Sequence, residues 1–289
     1  MLTARIMRLV ILSGPSCVGK GPLISSVKAF YGQDHSMPLL GKQPVNFKTI
    51  DVIKSFKSRN IDESLPREEK VKHLRPEDKP ELIEDSATIE SWQNDTRHYI
   101  VGDCRGKPQA ISLAQLENAF RNGGTVYLEA YYTLGRQVLK HPLIREMRGL
   151  SVTTIFLSPL SVNEIRNLQA EKVDMPRYLT YLMIKKLMDR EYAMGKKLTD
   201  ASLADCRKRA EDAINELKCA HEFEIFMHNH DGEGSLNWHL KDDAEDPWFL
   251  RQPDGDAAIC SRSLAYLLQH KATEFMPPNC TRLSEPLFV

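Results

Sequence analysis

The sequence predicts an α/β fold with a mostly parallel sheet covered by helices on both faces. Three observations carry the prediction. Residues 7–13, MRLVILS, form a short apolar run that stops at a Gly-Pro turn, as a buried parallel strand does. Similar runs recur at residues 125–128 (TVYL), 152–157 (VTTIFL) and 223–227 (FEIFM). Helical stretches separate them, and strands alternating with helices argue for parallel pairing.

The elements follow in order. After the first strand, residues 21–31 place Leu23, Ile24, Val27 and Phe30 on one helical face. Further helices are expected at roughly 112–122, 133–148, 161–169, 176–194 and 200–220, and a last one within SRSLAYLLQHKATEFM, residues 261–276. Residues 58–97 are charged, proline-containing and poor in large apolar side chains. They read as a solvated excursion, or as a mobile substrate-binding subdomain. Residues 240–258 are polar and irregular.

Composition limits the function classes. The chain has 289 residues, 42% hydrophobic and 27% charged, which is ample for a large core. Lys+Arg and Asp+Glu are 39 each, so no basic excess points to nucleic acid. The run at residues 9–12 is too short for a signal or membrane segment. Six scattered cysteines without a C-x-x-C pair fit a reduced, cytoplasmic protein. The expected partner is therefore a small molecule, not a nucleic acid or a membrane. The sequence leaves the oligomeric state open.

The chemistry begins at residues 13–24, SGPSCVGKGPLI. Gly14, Gly19 and Lys20 have the spacing G-x-x-x-x-G-K between a strand and a helix, as a phosphate-binding loop requires. Backbone N–H groups of Gly14, Pro15, Ser16, Cys17, Val18, Gly19, Lys20 and Gly21 (the proline lacking its own) would surround a phosphate at a helix N-terminus. Lys20 would reach the β and γ oxygens. Gly21 stands where a Ser or Thr hydroxyl usually meets Mg²⁺, and Pro22 follows it. Proline suits the first turn of a helix, and Ser16 offers a hydroxyl in compensation. Altered Mg·ATP binding is expected. The turn HNHDGEGSLNWH, residues 228–239, holds three histidines without metal-ligand spacing, so no protein metal site is expected.

Four segments in order resemble the guanylate kinase family of P-loop kinases. They are LVILSGPSCVGKGPLI, then VTTIFLSPLSVNEIRNL, then residues 183–218 with Arg209, Ala213, Glu216 and Leu217 in the pattern R-x-x-x-A-x-x-E-L, then FEIFMHNHDGEG. Together they cover about half of the chain. The resemblance implies a P-loop NTPase fold with inserted acceptor-binding and lid segments. The core would be residues 1–35, 101–171 and 201–289, the acceptor-binding insertion 36–100 and the lid 172–200.

It also implies ATP and Mg²⁺ as cofactors, Lys20, Arg190 and Arg209 as catalytic residues, and Asn229 near the adenine. Bidentate arginines suit phosphoryl oxygens. Lys185, Lys186, Lys196 and Lys197 make the lid basic. Glu129, at a strand end, sits where that family carries an acid. Asp103, Arg105 and Gln109, in YIVGDCRGKPQAISL, are candidates for holding the acceptor. Residues 44–60, PVNFKTIDVIKSFKSRN, lack the family's paired arginines and Gly-Glu. The expected activity is transfer of the ATP γ-phosphoryl group to a nucleoside monophosphate (GMP by resemblance) or a similar phosphorylated small molecule. A catalytically impaired protein-binding module and a P-loop ATPase remain the alternatives.

Overall fold

A computed structural model describes residues 7–32, 44–75, 78–121, 123–195, 197–238, 253–270 and 274–288. Residues 36–43, 76 and 77 of the expected acceptor region, Lys196 of the expected lid and residues 240–252 of the polar stretch lie outside the described residues.

The chain opens with β1 (Met7–Ser13), the glycine loop and α1 (Lys20–Tyr31). Next come β2 (Phe47–Ile50), β3 (Ile53–Ser55), a 3-10 turn (Phe56–Arg59), α2 (Arg67–Lys72), β4 (Ile83–Glu84) and α3 (Ser86–Ser91). A hairpin of β5 (Tyr99–Asp103) and β6 (Pro108–Ser112) leads to α4 (Leu113–Phe120), β7 (Gly124–Glu129), α5 (Tyr132–Lys140) and α6 (Pro142–Glu146). Then follow β8 (Leu150–Ser158), α7 (Val162–Ala170), α8 (Met175–Ala193), α9 (Asp200–Glu211), α10 (Ala213–Lys218), β9 (Ile225–His228), α11 (Gly255–Gln269) and β10 (Cys280–Thr281).

The main sheet has the order β10-β9-β8-β1-β7-β2 and is flanked by helices. β2 runs parallel to β7 and β8 parallel to β9, while β10 closes the edge antiparallel to β9. A second sheet, β4-β3-β6-β5, is mixed: β3 is parallel to β4, and β6 is antiparallel to both β3 and β5. Among the described residues, no helix is long and apolar enough to cross a membrane.

Two compact units divide the chain. The first comprises Met1–Ile11 with Phe47–Val152, the second Leu12–Asn46 with Thr153–Val289. In the first, Leu9, Ile11, Ile50, Ile111, Leu116, Val126, Leu128 and Leu134 form a buried core. Burying each such side chain contributes roughly 1.5–3 kcal/mol before entropy is counted. The second contains a smaller cluster of Cys17, Met183, Leu187, Cys206, Ala210 and Ala213, which binds α8, α9 and α10 to the glycine loop.

The described residues of the charged excursion, 58–75 and 78–97, are folded. Phe56, Ile61 and Ile83 make a satellite core, covered by Val71 and Leu74. Lys70, only 4% exposed, pairs with Asp85 at 2.5 Å and lies 5.2 Å from the centre of the Phe56 ring. Three apolar residues and a buried, paired lysine are too sparse a pattern to stand out in a charged sequence.

The helix expected over 133–148 is two helices. His141 precedes Pro142 and adopts an extended backbone (φ −67°, ψ 134°), because the proline ring disfavours α geometry one residue earlier. His141 Nδ1 then accepts from the Leu143 N–H at 3.3 Å and caps the new helix. The last helix starts and stops earlier than expected, at Gly255 and Gln269.

Candidate phosphate-binding site

The site is built in the second unit, at the turn from β1 to α1. Two glycines shape it. Gly14 has φ +142°, and a Cβ there would lie 2.2 Å from the Leu157 carbonyl oxygen. Gly19 has φ +97°, and a Cβ there would meet the Asn229 amide at 2.6 Å and the Trp238 ring at 2.9 Å. Positive φ and a close approach together leave glycine as the only fit. Gly21 has nothing within 4 Å of a Cβ position. Pro22 lies in the first turn of α1, where its missing N–H is one of the groups no helix pairs.

Lys20 begins α1 and is 9% exposed. Its ammonium donates to the carbonyl oxygens of Gly14 and Pro15, both at 2.7 Å. Two of its three protons are thus used within the loop, and the third is left for a ligand oxygen. The set fits a phosphate: glycines where backbone must come close, a helix N-terminus and a fixed ammonium. It fits Mg²⁺ less fully, since position 21 carries no hydroxyl. Ser16 accepts from Arg209 Nε at 3.3 Å.

Both predicted arginines come to the loop in different electrostatic states. Arg209, on α9, reaches Ser16 and is 3.7 Å from Asp205. Arg190, on α8, is clamped by Glu191 at 2.5 Å and Glu233 at 3.3 Å. Glu233 also accepts from the Cys17 thiol at 3.6 Å, and its N–H donates to the Cys17 carbonyl. Burial, reinforced by Glu233, pushes the Cys17 thiol up to about 12. Cys17 is therefore a neutral packing group and not a nucleophile.

Asn229 is fully buried and tied to backbone. Its amide donates to the Val18 carbonyl at 2.8 Å and to the Asp231 carbonyl at 2.6 Å, and its oxygen accepts from the Asp231 N–H at 3.1 Å. It braces the loop from β9. Lys186 donates to the His230 carbonyl, and burial lowers its pKa. His230 itself bridges Asp256 (2.5 Å) on α11 and Glu164 (2.8 Å) on α7. Asp231 accepts from Ser235, Asn237 and the Ala257 N–H, so it organises the turn leading to α11.

The remaining candidates lie in the first unit. Cys104 and Lys107 exchange backbone bonds at 2.8 and 3.2 Å across Arg105 and Gly106, both at positive φ. That is a two-residue hairpin turn. Asp103 accepts from the Gly106 N–H at 2.9 Å, and Arg105 lies 4.9 Å from the Tyr131 ring centre. These two residues serve the hairpin. Gln109 stands opposite Lys54 in the β3–β6 register.

Lys54 is the residue that sequence reading missed. Burial, with Arg59 and Arg75 nearby, lowers its pKa, while Glu129 and Asp78 work the other way. Burial opposes ionisation of Asp78, yet the guanidinium groups of Arg75 and Arg59 hold its carboxyl well below the usual carboxylate range. The hydroxyls of Ser55 and Ser58 are buried and, among the described residues, without hydrogen-bond partners. A lysine inside the run VIKSF was the one available signal.

No family model matches the chain, and no curated protein matches it. Among solved structures, a guanylate kinase from Anaplasma phagocytophilum is similar to it at 12% sequence identity and a TM-score of 0.42. That alignment covers 80% of this chain and 81% of the other.

Proposed function

We propose that the chain is an ATP-dependent phosphotransferase acting on a phosphorylated small molecule, with a nucleoside monophosphate as the leading acceptor. The observation that carries this reading is the loop: Gly14 and Gly19 where no side chain fits, and Lys20 fixed at the helix start with a proton to spare. Phosphoryl transfer needs positioning and charge neutralisation more than covalent chemistry.

In this reading the loop N–H groups and Lys20 hold the β and γ phosphates of ATP. Mg²⁺ supplies bridging charge on those oxygens when bound, held through Ser16 or water. Arg209 turns from Ser16 towards the transferring group. Arg190 needs release from Glu191 and Glu233 before it can assist. Lys54, with Arg59 and Arg75, offers cations to the acceptor's phosphate, and Glu129 and Gln109 accompany Lys54. Asp103 and Arg105 shape the hairpin beside that region.

A thermal shift tests the donor site. Mg·ATP at 100 times its Kd stabilises by about 2.7 kcal/mol through mass action alone. Wild type should melt several degrees higher with millimolar Mg·ATP, and Lys20→Ala should not. A folded wild type that shows no shift overturns the reading. An acceptor screen follows: ADP formed without any acceptor would favour an ATPase. The clamped state of Arg190 is what favours a non-catalytic, protein-binding module as the second reading. ATP binding without turnover on any nucleoside monophosphate would select it.

A further inference from the structure

The second unit holds a cavity away from the glycine loop. It lies between α7, β9 and the C-terminal tail, with a volume of about 560 Å³. Sites for small molecules commonly have roughly 300–1,000 Å³. The tail makes the outer wall. β10 pairs with β9 through Cys280 and Met227, and the chain then runs to Leu287, whose carbonyl accepts from Gln169 of α7 at 2.7 Å. The near end of the tail is also fixed: Asn279, 5% exposed, donates to the His228 carbonyl at 3.2 Å and accepts from Ser263 at 2.6 Å. The tail is therefore held at both ends of the cavity.

Its lining has two characters. Phe226 and Leu287 are buried and apolar. Arg166 and Arg282 supply two guanidinium groups, against Glu285 as the one carboxylate among the lining residues. Arg282 is 3.5 Å from Glu224. Arg166 has no hydrogen bond or ion pair among the described residues. His228 also lines the cavity and offers a polar contact, and burial lowers its pKa, which disfavours its charged form.

We infer that this cavity binds a small organic anion, with a phosphate or carboxylate head held by Arg166 and Arg282 and an apolar body lying on Phe226 and Leu287. Guanidinium groups match both heads in bidentate geometry. An exposed arginine lining a mostly polar cavity that also holds the buried Phe226 and Leu287 is the arrangement that uses both kinds of contact. The inference does not depend on the glycine loop binding ATP.

Isothermal titration with two probes, phenyl phosphate and benzoate, tests it and distinguishes the two heads. At least one probe should bind wild type with a Kd at or below about 1 mM. The double variant Arg166→Gln/Arg282→Gln should weaken that binding at least about tenfold, the usual loss for a charge-assisted contact. Val162→Trp, which narrows the cavity from α7 while leaving both guanidinium groups in the chain, should weaken it comparably. Lys20→Ala should leave it unchanged, which excludes phenyl phosphate bound at the loop. The inference is overturned if neither probe binds at 10 mM, if the double variant binds within threefold of wild type, or if Lys20→Ala abolishes binding.

Discussion

At the scale of single residues, the loop holds three glycines with opposite tolerances. Gly14 and Gly19 combine positive φ with a blocked Cβ position, so alanine at either should destabilise by more than about 1 kcal/mol and distort the loop. Gly21 has open space around its Cβ position. Gly21→Ser should therefore fold normally, with stability within about 0.5 kcal/mol of wild type. It should also place a hydroxyl where the proposed site would hold the phosphates. The expected outcome is a larger Mg²⁺-dependent component of the ATP thermal shift in Gly21→Ser than in wild type. An identical Mg²⁺ dependence would show that Ser16 or water already fills the role. The glycine spacing was legible because backbone sterics tie it to chain position. Lys54 was not, because its significance comes from Arg59, Arg75, Glu129 and Asp78, brought near it only by folding.

Among the elements, legibility followed apolar density. β1, β7, β8 and β9 are buried runs and could be read directly. β2, β3 and β4 are two to four residues of mixed polarity, FKTI, IKS and IE. Strands that short carry no usable period, and their pairing is decided by backbone partners far along the chain. The hairpin of β5 and β6 did carry a signal, Arg-Gly at its turn, whose meaning needs the positive φ values to be seen. The excursion through α2 and β4 depends on the satellite core. Phe56→Ala, a fully buried ring, should cost about 3–5 kcal/mol if that segment unfolds with the rest of the protein. Hydrogen exchange gives the finer readout. Amides of Ile61, Val71 and Ile83 should lose protection together in the variant. Loss at a single position would mean that the three do not form one cooperative unit.

For the molecule as a whole, the pH dependence of stability is set by groups acting in opposite directions. His230 is partly buried, which alone would lower its pKa, but its bonds to Glu164 and Asp256 outweigh that and raise it. A raised folded pKa means stability that is fully present below the unfolded value of about 6.5 and is lost as pH rises through the folded value. His228 has the opposite sign: burial lowers its pKa, so folding disfavours its charged form and stability falls as pH drops through about 6.5. The two oppose each other in wild type, and a variant separates them. His230→Gln should be destabilised relative to wild type at pH 5.5, and the difference should shrink by pH 8.5. Because the His230 side chain is 46% exposed, the difference at pH 5.5 should be modest, about 1 kcal/mol or less after solvent screening. Below pH 4, Asp78 adds a separate limb. Its carboxyl is held low by Arg75 and Arg59, so the stability it contributes is present above its unfolded pKa and lost as pH falls towards the folded one. Thermal melts of wild type, His230→Gln and Asp78→Asn from pH 3 to 9 resolve both limbs. A His230→Gln difference that grows with pH would reverse the sign assigned to the bridge between α7 and α11.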